Sequence, residues 1–84
     1  MDFVRGRLVR SKAGRDKTRT FAVLAVAGQM LLLADGRLRT LCRPKRKKNK
    51  HVAPTAAVLR QEDLASDEAL SKAIAAFETQ TRSE

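Results

Sequence analysis

Two stretches of this chain, residues 21–26 and 30–34, are apolar at every position, reading Phe-Ala-Val-Leu-Ala-Val and Met-Leu-Leu-Leu-Ala. Strands of this kind are covered on both faces. A chain of 84 residues has one thin core, so a layer of side chains has to lie on each side of a small sheet. Ala27-Gly28 marks the reversal between the two runs. Asp35-Gly36 follows the second and reads as a two-residue hairpin, because both central positions of that turn need positive φ.

Weaker patterns extend the sheet. Residues 3–10 alternate imperfectly, with Val4 and Leu8 on one side and Arg5 and Arg7 on the other. Residues 37–42 place Leu38, Thr40 and Cys42 on one face and Arg37, Arg39 and Leu41 on the other, and Pro44 ends that strand. Residues 55–59, just past Pro54, supply a short closing strand. Five short strands in so small a chain curl most readily into a closed barrel, which removes exposed edges. Ser66, with Asp67 and Glu68 behind it, is a helix start, and Leu70, Ala73, Ile74 and Phe77 fall at i, i+3, i+4 and i+7. That stripe makes the helix a lid on the sheet. The expected organisation is mainly β: a five-stranded barrel over residues 1–59, including a basic arm at 43–51, then a linker and an amphipathic C-terminal helix over 60–84.

Charge is segregated along the chain. Lys and Arg number 18 against 9 Asp and Glu, giving +9. Residues 1–51 hold 15 basic and 3 acidic groups, net +12, and residues 52–84 hold 3 and 6, net −3, which together recover +9. An excess of this size says little about fold and much about partners, which are expected to be polyanions. Residues 11–19 combine Gly14 and Asp16 with Lys12, Arg15, Lys17 and Arg19 and lack apolar periodicity, so they read as a short positive loop. Residues 45–50 hold five cations that repel one another, so the segment is expected to stay extended until a partner neutralises it. No run of about 18 apolar residues is present, and Arg5, Arg7 and Arg10 interrupt the N-terminal region, so neither a membrane span nor a signal peptide is expected. The lone Cys42 closes no internal disulfide and fits a reducing cytoplasm.

Three segments, Val4-Arg5-Gly6-Arg7-Leu8-Val9, Ser11-Lys12-Ala13-Gly14-Arg15-Asp16-Lys17 and Phe21-Ala22-Val23-Leu24, together look like a KOW motif. With Ala34-Asp35-Gly36-Arg37-Leu38-Arg39 and Pro44-Lys45-Arg46-Lys47-Lys48, then Lys50-His51, the chain resembles bacterial KOW-domain RNA-binding proteins similar to the eukaryotic and archaeal large-subunit ribosomal protein fourteen-e group. The resemblance covers roughly the first 51 residues. It implies an SH3-like barrel, RNA binding and a tie to the ribosome, and it carries over no catalytic residue. The family usually has glycine where Thr18 stands and an apolar residue where Asn49 stands.

Two cationic elements are the candidate RNA-binding sites: Lys12, Arg15, Lys17 and Arg19 on the first loop, and Arg43, Lys45, Arg46, Lys47, Lys48 and Lys50 on the arm. Arg37 and Arg39 extend the patch. Asp16 is read as a loop-shaping acid and not as a catalytic one. Phe21 and Phe77 belong to the core, leaving Phe3 as the one plausible exposed ring, so recognition is expected through phosphates, 2′-hydroxyls and RNA shape and not through base stacking. Without Trp or Tyr there is no aromatic groove for proline-rich peptides. Cys42, on a face that alternation buries, and His51, on the arm, lack a third group to orient them, so no catalytic residue is expected. No ligand spacing calls for a metal, and no cofactor or small-molecule substrate is expected. The expected partner is structured RNA, ribosomal RNA above all. The rival reading is a protein-interaction module of the transcription or translation machinery, contacting ribosomal or transcription proteins through helix 66–80 and binding nucleic acid weakly.

Overall fold

A computed structural model describes residues 2–15 and 17–82. Five strands, β1 (Arg7–Ser11), β2 (Thr20–Ala27), β3 (Met30–Ala34), β4 (Lys45–Lys48) and β5 (Val52–Val58), form one antiparallel sheet in the order β4-β3-β2-β1-β5. A 3-10 turn at Asn49–His51 joins β4 to β5, a second at Gln61–Leu64 follows β5, and helix α1 runs over Asp67–Arg82. The chain is mainly β with a C-terminal helix, as expected. The sheet is open: β4 and β5 are its two edges and do not pair with each other.

The continuous apolar runs are strands sandwiched between two layers only in part. Residues 21–23 with Leu31, Leu33 and Ala34 are buried, whereas Ala25 and Val26 are exposed and Met30 and Leu32 half-exposed, because the end of the strands toward the Ala27-Gly28 turn lies beyond the two buried clusters. Alternation sends Val9, Phe21, Val23, Leu31 and Leu33 to one face, where they bury with Val52 beneath Phe3. Leu8, Ala22 and Ala34 point the other way and bury against Leu64, Leu70 and Ile74, with Leu24, Leu41, Ala57, Leu59 and Phe77 packed around them. Helix α1 is therefore the lid over the second face. Its start is fixed by the Ser66 hydroxyl, which accepts from the Ala69 N–H at 3.1 Å, and by Asp67 Oδ1, which accepts from the Leu41 N–H at 2.8 Å. Complete burial of Leu70 contributes about 2 kcal/mol.

Residues 35–50 fold differently from the sequence expectation, and the cause is local. Asp35 Oδ1 accepts from the N–H groups of both Arg37 and Arg39 at 2.9 Å, while Asp35 and Gly36 donate their own N–H groups to Arg39 O. This closed turn captures the backbone that a strand at 37–42 needs for a ladder. The tight hairpin at Asp35-Gly36 is thus replaced by a ten-residue connection, residues 35–44. Gly36 does take positive φ, at 80°, and a side chain there would run into the Asp67 backbone of α1. With the strand gone, Cys42 is exposed and not buried, and Leu38 is 65% exposed.

The fourth strand is supplied instead by the segment expected to stay an unfolded arm. Lys45–Lys48 pairs with β3, with Leu33 opposite Lys45 and Met30 opposite Lys48. Ladder hydrogen bonds offset the repulsion, and alternation relieves it by sending neighbouring cations to opposite faces; a lysine-rich strand is also the usual occupant of a sheet edge. Pro44 precedes this strand and terminates none. Similarly, β5 starts at Val52 and contains Pro54, which an edge strand tolerates because one side of it makes no ladder bonds. β1 starts only at Arg7, since Gly6 at φ 94° and an Arg7 N–H bond to Val4 O turn the chain before it. Phe3 is half-buried against the core, so it is not an exposed ring.

Candidate nucleic-acid interface

The first loop is built by a small set of backbone bonds. Ser11 N–H donates to Arg19 O, Thr18 N–H to Ser11 O at 2.9 Å, and Lys17 N–H to Gly14 O at 3.2 Å. Two left-handed residues make the bends, Gly14 at φ 77° and Thr18 at φ 75°. Thr18 thus holds a conformation that suits glycine, and a β-branched residue is strained there. The expected loop-shaping acid, Asp16, lies outside the described residues.

Lys47 joins this loop to β4. It points to the same sheet face as Leu31, opposite which it pairs, and its ammonium donates to Ser11 Oγ at 2.6 Å and to Ala13 O at 3.0 Å. Ser11 is buried, and its hydroxyl also donates to Ala13 O at 3.1 Å. The next contact along comes from Lys12, whose N–H donates to His51 O at 2.8 Å, tying the loop to the 3-10 turn that carries Lys50. Lys12, Arg15, Lys17 and Lys50 are all exposed. Cations from two segments more than thirty residues apart are in this way held together at one place, which we call the loop group.

Arg19, Arg37 and Arg39 form a second group around Asp35. Arg19 Nη1 lies 3.8 Å from Asp35 Oδ2, and the two Asp35-bonded N–H groups set where Arg37 and Arg39 leave the turn. A cavity of ≈ 130 Å³ opens between this group and α1, bordered by Arg19 and Arg37 but also by Asp35 and Glu78. The two carboxylates partly neutralise the two arginines there.

The remaining arm residues do not gather into one patch. Arg46 and Lys48 are exposed on the sheet face opposite to Lys45 and Lys47. Lys45 is half-buried, and its ammonium is held below the ordinary lysine value, chiefly by burial and next by the charge of Lys47. Arg43 is exposed within the 35–44 connection, where its N–H donates to Thr40. Sequence reasoning missed two organisers, Asp35 and Ser11. The first announces itself as an acid placed to accept from the N–H groups two and four positions on. The second has no local signal, because its partner lies 36 residues away.

Among the described residues no group of three His, Cys, Asp or Glu side chains is placed to hold a metal, and no helix is long and apolar enough to cross a membrane. Neither protein-family models nor the curated proteins searched give a match to this chain.

Proposed function

We propose that this protein binds structured RNA through its sugar-phosphate backbone, with the loop group as the centre of the contact and Arg37 and Arg39 as its flank. The observation that carries this reading is the Lys47 bridge, which holds a cationic loop against a cationic strand and turn, so that several exposed ammonium and guanidinium groups share one surface. Neutralising phosphates and releasing their counterions is what such a surface does best. Gly14 adds a bend at which backbone N–H groups can join the contact. No exposed aromatic platform accompanies it, which favours reading of RNA shape over reading of bases. The tie to ribosomal RNA and a cytoplasmic place of work rest on the resemblance to the KOW-domain proteins. The rival reading gave the partner contact to the helix, but the apolar stripe of α1 is occupied: Leu70 and Ile74 are buried in the core.

The test is the salt dependence of binding to a fluorescein-labelled RNA hairpin, followed by anisotropy. The triple substitution Lys12→Gln, Arg15→Gln, Lys17→Gln removes three exposed cations and should lower the slope of log K against log salt by roughly 2 to 3, at about 0.7–0.9 per phosphate contact. A folded triple variant with the parent's slope would refute the assignment of the loop.

A further inference from the structure

Strand register exposes a second surface that the RNA reading leaves unused. Two cross-strand rows lie side by side: Ala25 opposite Leu32 opposite Arg46, and Ala27 opposite Met30 opposite Lys48. All six side chains share the face on which Ala34 meets α1, because Met30, Leu32 and Ala34 alternate in step. The helix covers the Ala22 and Ala34 end of that face, and the two rows lie outside the cluster it buries. Ala25 and Ala27 are exposed, Met30 and Leu32 half-exposed, and these four with Arg46 line a groove of ≈ 450 Å³. Both rows end on a cation at the edge strand. The result is an apolar strip with a positive rim along one side.

We infer that this strip docks an acidic amphipathic helix of a partner protein, laid beside α1 on the same sheet face. Charge complementarity selects the occupant: a helix with leucine-type residues on one stripe and carboxylates along its flank fills the strip and meets Arg46 and Lys48. The chain already covers the adjoining half of this face with a helix of that type, since α1 carries Asp67 and Glu68 in its first turn and presents Leu70 and Ile74 to the sheet. The short side chains of Ala25 and Ala27 let a helix approach closely. RNA is the poorer occupant, because the strip offers aliphatic groups without an aromatic ring and cations on one side only. This surface is independent of the loop group, so the two readings can fail separately.

The experiment uses the full chain and two synthetic peptides of identical composition, one with leucines at i, i+3, i+4 and i+7 and glutamates on the flank, the other scrambled. The amphipathic peptide should bind at least about tenfold more tightly than the scrambled one. Ala25→Glu, at an exposed position away from the loop group, should abolish that difference and leave RNA-hairpin affinity within about twofold; Ala27→Glu serves equally if the first variant folds poorly. Equal affinity for both peptides overturns the inference. So does an Ala25→Glu variant that loses RNA binding, which would give the strip to RNA, or one that converts a dimeric chain to a monomer, which would give it to a second copy.

Discussion

Lys47→Met separates the structural role of one cation from the recognition role of its neighbours. Methionine keeps an unbranched stem beside Leu31 while removing the ammonium, so the packing of β4 on β3 survives and the two bonds to Ser11 Oγ and Ala13 O do not. Hydrogen bonds from a charged donor are worth about 1.5–3 kcal/mol when buried, and the half-exposed Lys47 merits less, roughly 0.5–1 kcal/mol each. Ser11 Oγ still donates to Ala13 O, so no buried donor is stranded. The expected loss is about 1–2 kcal/mol, which in a domain of this size lowers Tm by roughly 4–16 °C. Because the ammonium is bonded to the protein, and the Lys12 N–H bond to His51 O still ties the loop to the turn that carries Lys50, the salt slope of RNA binding should fall by much less than one contact. Lys50→Met is the counterpart, an exposed cation with little effect on Tm and a slope lowered by about 0.7–0.9 if it meets a phosphate. Thermal unfolding by circular dichroism and anisotropy over a salt series read the two quantities. If Lys47→Met kept the parent Tm and lost the slope, the ammonium would be facing a phosphate and the bridge to the loop would be refuted.

Two further outcomes are expected. Thr18→Gly relieves a left-handed threonine and should raise stability by about 0.5 kcal/mol, the strain released exceeding the greater flexibility of the unfolded chain; a lower unfolding midpoint in urea would contradict it. Lys45 should titrate below the other lysines when its Cε resonance is followed by NMR, and Lys47→Met should move that midpoint upward by removing the second of its two causes. The direction fixes the linkage. A lowered folded pKa means that the stability tied to Lys45 is fully present above its ordinary value of 10.5 and is lost as pH falls through the lowered folded value. A Lys45 midpoint that Lys47→Met leaves unmoved would count against the assigned cause.

What the sequence disclosed was governed by burial. The buried parts of residues 21–26 and 30–34 are apolar because they lie between two layers, and Leu70, Ile74 and Phe77 face inward because the sheet has one face to cover; Ala25, Val26, Met30 and Leu32 are just as apolar without being fully covered. What it withheld was governed by hydrogen bonds whose outcome no hydrophobic pattern records. Alternation at 37–42 was formally correct for a strand, yet a single carboxylate at Asp35, bonding two N–H groups within four residues, takes the backbone donors that a ladder there would need. Ser11 gave no sign of its role because the loop it anchors is completed by a strand far away in sequence.

The basic run at 45–48 carries the more general lesson. Read as a coil, Lys-Arg-Lys-Lys is one dense patch of charge whose repulsion keeps it extended. Read as an edge strand, it is two pairs on opposite faces, each with half the charge. Lys47 braces the loop with Lys45 half-buried on the same face, while Arg46 and Lys48 end the two cross-strand rows of an apolar strip. Net charge therefore points to the kind of partner this chain attracts, and the strand register divides that attraction between two surfaces. A substitution that shifts β4 by one residue would exchange the two pairs, and it would damage both the loop brace and the rim of the strip without changing the charge of the protein at all.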